Sequence, residues 1–199
     1  VEQVLALARS RRALEFPRQL RAIRFDGGLV DEQRRHYTVV RGWLEKNRTA
    51  GYLRDITRRI GGATTRTLTR DLAPVGWHPR YLLRYFAQGM WAPFGRARID
   101  YIPWRAATRL VTKIPHGTII HVVSAPHPRS PYLVTHVGIA IRHPRWGTVF
   151  RHASQSPRRR QVEDRPMGPY LWYVSRTPSG PEMRTGIGIH LSEPLGPTP

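Results

Sequence analysis

The stretch "THVGIAIRHPRWGTVFRHAS" (135–154) decides how this chain is read. Two apolar, β-branched runs flank a break that holds Pro144 and Gly147, which is the pattern of a β-hairpin. Side chains alternate along a strand, so His136, Gly138 and Ala140 share one face while Val137, Ile139 and Ile141 share the other. On the second run Phe150, His152 and Ser154 share a face. A loop centred on Pro144 sets His136 directly opposite His152, with Cβ atoms about 4.5–5.5 Å apart. Two histidines so placed are open to three readings: half-buried strand residues, metal ligands, or parts of a catalytic apparatus. Gly138 and Ala140 leave room for a helix to lie against that face. The first helix of the chain is the expected occupant, with its N-terminal end near the histidines.

Working outward, the first hundred residues read as mainly helical. "VEQVLALARS" (1–10) places Val1, Val4, Leu5 and Ala8 on one helical face, and this helix is expected to reach about Leu14. A short helix follows at 18–23, and "FDGG" (25–28) is a turn. "DEQRRHYTVVRGWLEKN" (31–47) reads as one helix capped by Asp31. "GYLRDITRRIGG" (51–62) reads as an extended or turn segment, and "HPRYLLRYFAQGM" (78–90) as a helix. The character then changes. Strands are expected at 117–124, 133–142, 147–154 and 186–191, and "GPYLWYVSR" (168–176) reads as a helical turn or a strand. Helices first and strands after predict an α+β fold. The expected organisation is one domain over 1–199: a helical part (1–100), an antiparallel sheet (101–192) and a flexible Pro-rich tail (193–199).

The net charge of +20 invites an anionic partner such as nucleic acid. The details argue otherwise. Lys46 and Lys113 are the only lysines among 33 basic residues, a skew that suits a GC-rich genome better than phosphate contact. The arginines spread along the chain without an interleaved aromatic stripe, and the dense run "SPRRRQ" (156–161) reads as a solvated loop. No cysteine is present, which removes disulfides and cysteine-ligated zinc from these residues. No run of apolar residues is long enough to span a membrane. A helix that starts at Val1 without a cap signal predicts that the native chain extends upstream, where a signal segment would also lie. His121 on the preceding strand is a conceivable third zinc ligand beside His136 and His152. There is no HExxH, however, and acidic residues near the strands are few, so no metal and no cofactor is assigned.

"HVGIAI" followed by "HAS" resembles the paired histidine motifs of the NlpC-type papain-like cysteine peptidases and amidases of bacterial cell walls. An ordered series of further pieces resembles one branch of them, the N-acetylmuramoyl-L-alanine amidase-like family. They are "VEQVLALA", "IRF" (23–25), "RRHY" with "GWLEKN" (34–47), "GYLRDIT" (51–57), "DYIP" (100–103), "IPHGTIIHVVS" (114–124) and "GIGIHL" (186–191). The resemblance implies a papain-like fold and hydrolysis of the amide between N-acetylmuramic acid and L-alanine in muropeptides. It implies His136 as the base and His152 as its orienting partner. It implies a groove lined by His36, Tyr37, Trp43, Ser154 and Gln155. The family's nucleophile is a cysteine a few residues before the "VEQVLALA" segment, so here it is expected upstream of Val1. Ser10 lies two helical turns away from that place. The 199 residues alone are therefore expected to be inactive. The resemblance also implies the setting: muropeptides as partners, a monomeric protein, and a periplasmic or cell-envelope location. The competing readings are a non-catalytic muropeptide binder, a zinc hydrolase and a basic nucleic-acid-binding module.

Overall fold

A computed structural model describes residues 1–36, 39–83, 86, 94–154, 160–178 and 184–196. Two helices open the chain, α1 (Glu2–Arg9) and α2 (Phe16–Arg24). The first stops well short of Leu14, because Ser10 turns to extended backbone and folds its hydroxyl back onto the Ala6 carbonyl at 2.8 Å. Its buried face is Leu5, Ala6 and Arg9, while Val4 lies half exposed.

The single helix expected over 31–47 is broken. Asp31 does cap a short turn, its Oδ1 accepting from the Gln33 amide at 2.8 Å. Arg35 then takes extended backbone to bridge Phe25, and the His36 amide donates to the Arg24 carbonyl at 2.9 Å. Pairing with the end of α2 thus overrides helix propensity. The chain resumes as a π-helical turn over Val39–Leu44 and then α3 (Glu45–Thr49).

The first hundred residues also carry strands: β1 (Leu53–Asp55), β2 (Arg66–Leu72) and the start of β3 (Gly95–Pro103). Between them lie α4 (Thr57–Gly61) and α5 (Pro79–Leu82). Of the helix expected over 78–90 the structure describes Pro79–Leu82 as helical, while 84–85 and 87–90 lie outside the described residues. After β3 come α6 (Trp104–Leu110), β4 (Ile119–Ser124), β5 (Val134–His143), β6 (Gly147–Ala153), β7 (Val162–Pro166), α7 (Met167–Arg176) and β8 (Gly186–Pro194). β7 follows the arginine run directly; its charged sequence, "VEDRP", suits an edge strand. The segment at 168–176 is a helix.

These strands form one antiparallel sheet in the order β2-β3-β8-β4-β5-β6-β7, with β1 pairing β8 beside β3. The architecture is α+β. One face carries Ile120, Ala140, Phe150, Ile189 and Leu191, packed with Ala107 of α6 and Met167 and Leu171 of α7. The other carries Ile119, Val123 and Val134, packed with Leu5, Ala6, Ile23, Trp43 and Leu44. The first helix therefore belongs to the face opposite Gly138 and Ala140, and α7 covers the face expected for it. Arg9, buried at the end of α1, ties this layer to β8: its Nη1 donates to the Leu195 and Gly196 carbonyls at 2.6 and 3.2 Å, and its guanidinium lies over the Tyr52 ring.

Candidate active site

The β4–β5 pairing is regular from Ile119↔Ile139 to Val122↔His136 and then resumes at Val123↔Val134. Thr135 is the extra residue. Such bulges re-aim the side chains beside them, and here the re-aimed neighbour is His136. The bulge is pinned from within, since the Ser124 and Thr135 hydroxyls lie 2.6 Å apart.

The β5–β6 hairpin differs from expectation by one residue per strand. Observed pairs run from Ile139↔Arg151 to His143↔Gly147, so the loop centres on Arg145 rather than Pro144. The loop itself sets this register. Gly147 adopts a left-handed φ of 67°, and the His143 Nδ1 accepts from the amides of Arg145 and Trp146, both at 3.2 Å. A three-residue loop followed by a left-handed glycine is a favoured hairpin connection. Continuing the ladder by one pair sets Gly138, not His136, across from His152. The histidines are diagonal neighbours on one face, and their long side chains close the gap: His136 Nε2 lies 2.9 Å from His152 Nδ1.

Aromatic rings enclose this pair. The His136 and His152 rings are nearly perpendicular, at 85°, with centroids 4.8 Å apart. Phe150 stacks against His152 at 5.1 Å and meets His136 edge-on at 5.7 Å. Tyr170 of α7 closes the other side, stacked on Phe150 at 4.7 Å and 5.2 Å from His152. Tyr170 was not singled out in the sequence, where "GPYLWYVSR" offers several aromatics with no mark of which one turns inward. The cage is possible because residue 138 is glycine, over which the Phe150 ring lies.

The enclosure sets the electrostatics. Burial, and secondarily the neighbouring His152, push the His136 pKa down to about 4. Burial also lowers that of His152, against the opposing pull of Glu163. Both rings are neutral at neutral pH, so the 2.9 Å contact is held by one proton. A proton on His136 Nε2, donated to His152 Nδ1, leaves a lone pair on His136 Nδ1. A buried neutral imidazole with one nitrogen tied and the other free is the arrangement of an oriented general base.

The other candidate residues lie elsewhere. Ser154 follows β6 directly, its amide donating to the Gln161 carbonyl at 2.8 Å. Gln155 and Tyr37 fall outside the described residues. His36 is half-buried on the helical side, its pKa lowered by burial and influenced by Asp26 and Lys46, which pair at 2.9 Å. Trp43 is 6% exposed and packs in the core against His121, 5.8 Å between centroids. His121 projects from the opposite sheet face toward Trp43 and His190, so it does not join His136 and His152. Among the described residues no group of three or more His, Asp or Glu is placed to hold a metal ion. Nor is any described helix long and apolar enough to cross a membrane.

Comparison with solved structures shows the same fold in several proteins. A Legionella pneumophila protein of the DUF1460 family superposes with a TM-score of 0.81 at 21% identity, covering 99% of this chain and 75% of that one. An N-acetylmuramoyl-L-alanine amidase from Bacteroides uniformis gives 0.72 at 19% identity, covering 97% and 81%. A Bacteroides fragilis protein provisionally named a xylanase gives 0.70 at 20%, covering 96% and 83%. At these identities the likeness speaks for the fold alone. No curated protein matches the chain. The family profile described as AmiA-like, N-acetylmuramoyl-L-alanine amidase-like, matches residues 1–177, a span that takes in both histidines, the bulge before the first and the helix that covers them. The chain belongs to the N-acetylmuramoyl-L-alanine amidase-like family.

Proposed function

We propose that this chain is the body of a cell-wall amidase of papain-like, NlpC-type architecture. It acts on the amide between the lactyl group of N-acetylmuramic acid and L-alanine in muropeptides. His136 is the general base and His152 its orienting partner. The observation that carries this reading is the 2.9 Å contact between His136 Nε2 and His152 Nδ1, made inside an aromatic enclosure that keeps both rings neutral.

The nucleophile in this reading is a cysteine encoded upstream of Val1, since the 199 residues hold none. Its thiol proton passes to His136 Nδ1 as sulfur attacks the amide carbonyl. The same proton then leaves with the amine of L-alanine, and water cleaves the resulting thioester. His152 holds the base in the required tautomer and shares the charge of the imidazolium. The protein acts as a monomer in the periplasm or cell envelope, where muropeptides are found, and needs neither nucleic acid nor a cofactor. A second reading is muropeptide binding without turnover.

One comparison tests both. The chain extended by its native upstream residues is incubated with N-acetylmuramoyl-L-alanyl peptides, beside the 199-residue chain and a His136→Ala variant of the extended one. Release of free L-alanyl peptide by the extended chain alone is the expected result. Tight binding with no release by any form leaves the binding reading.

A further inference from the structure

Among the described residues the histidine pair meets few charges. From α7 it meets the ring of Tyr170, whose hydroxyl burial keeps protonated. β7 is different. Glu163 stands directly opposite His152 in the β6–β7 ladder, and Arg165 opposite Phe150. Side-chain alternation puts Glu163 and Arg165 on the histidine face and Asp164 on the other. Asp164 is taken up there by Arg151 across the ladder, in two contacts of 2.7 Å. The Glu163 side chain is 10% exposed, and the Arg165 Nη2 lies 3.1 Å from its Oε2. Directly opposite residues have Cβ atoms about 5 Å apart. The far nitrogen of His152, Nε2, is buried and makes no hydrogen bond with a described residue.

We infer that Glu163 is a positioning residue for the amidase reaction, a largely shielded carboxylate facing His152 across the β6–β7 ladder whose charge steadies the imidazolium formed on the pair. The inference rests on the proposed amidase reading for its purpose. Its physical content stands apart, because the carboxylate acts on the His152 ring whether or not substrate turns over. When His136 takes a proton, the positive charge is shared through the 2.9 Å contact. A carboxylate on the same face, shielded from water, favours that state, and the Arg165 guanidinium moderates it. The tendencies agree with this: burial lowers the His152 pKa most, Glu163 raises it, the Ala153 carbonyl and Asp164 raise it less, and Arg165 lowers it. On sequence alone Glu163 and Asp164 follow the arginine-rich loop and read as lying outside the strands; the structure instead places both in β7, paired with β6.

The test is an NMR titration of the His152 ring in the 199-residue chain, its resonance assigned by loss in His152→Gln. Glu163→Gln is expected to lower the His152 pKa, Arg165→Gln to raise it, and Glu163→Asp to restore it toward the parent value. Opposite shifts from two substitutions are not produced by a general loss of packing. They also keep the question decidable if one variant folds poorly. An unchanged His152 titration in the Glu163 variants, whatever their stability, overturns the inference. In the extended, nucleophile-bearing chain, Glu163→Gln is expected to lower kcat about ten-fold with KM unchanged. If that chain shows no turnover at all, the amidase reading fails, while the titration still decides the role of Glu163.

Discussion

The ring of Phe150 fills the space that a side chain on residue 138 would need. A Cβ built on Gly138 would lie 2.5 Å from two Phe150 ring atoms and 2.7 Å from the Arg151 carbonyl oxygen. Backbone cannot yield there as a flexible side chain can. Gly138→Ala is therefore expected to cost about 1–3 kcal/mol of stability, the usual range for overpacking, read by denaturant unfolding. Adding Phe150→Leu recovers part of that loss, so the two effects are non-additive. Equal and independent losses would show that the ring does not depend on the glycine.

The contact between His136 Nε2 and His152 Nδ1 takes one proton, and the base role proposed for His136 requires that proton on His136. At neutral pH the nitrogen-15 spectrum is expected to show His136 protonated on Nε2 and unprotonated on Nδ1. His152→Ala removes the acceptor and lets both tautomers populate. A His136 ring protonated on Nδ1 in the parent protein contradicts its assignment as a base acting through that atom.

Acid weakens the fold in a defined direction. Burial lowers the pKa values of His121, His136, His152 and His190, with His136 near 4. The unfolded chain binds protons at these rings near pH 6.5 while the native protein does not, so stability is full above that pH and falls as pH drops toward the native values. Each such ring steepens the fall by about 1.4 kcal/mol per pH unit within its window. Stability measured from pH 7.5 to 4.5 should decline, and His121→Phe should flatten the decline. A flat profile, or one that rises toward acid, rules this out.

Thr57 is a buried junction between α4 and β8. Its hydroxyl accepts from the Leu191 amide at 3.0 Å and lies 3.1 Å from the His190 Nδ1. Thr57→Val keeps the shape and strands a buried amide, for an expected loss of about 1–3 kcal/mol. Thr57→Ser should retain most of the stability in the same unfolding experiment. Full stability in Thr57→Val with a loss in Thr57→Ser would show that the methyl group rather than the hydroxyl matters.

Alternation of faces was enough to bring His136 and His152 to one side of the hairpin, because that inference survives a shift of one residue in each strand. The register itself was not readable. It depends on Gly147 taking a left-handed φ and on the His143 ring bonding two loop amides. The sheet's second half stood out through β-branched runs such as "GTIIHVVS", whereas β2 and β7 are rich in charge and lie at the sheet's edges, where apolar alternation is weak. The helix over 31–47 broke because Arg35 found a partner in Phe25, a contact between segments that periodicity does not register. Trp43 was drawn into the site by family resemblance, but helical spacing beside Val40 and Leu44 is the mark of a core residue, and it is buried with them. Tyr170 and Glu163 carry no motif; only the packing of α7 and the β6–β7 ladder brings them to the histidines.

The order of the strands sets a schedule for assembly. β8 lies between β3 and β4, although it follows both in the chain, and among the described residues no other strand joins the two halves of the sheet. Until it arrives, β3 and β4 each present an open edge of unpaired amides and carbonyls, and α1 has no Leu195 or Gly196 carbonyl for Arg9. On the ribosome, then, the histidine hairpin can form before β8 is made, but its scaffold cannot close until β8 emerges. From the completion of β4 until β8 is made, the nascent chain carries two adhesive borders, and β8 seals both in one step.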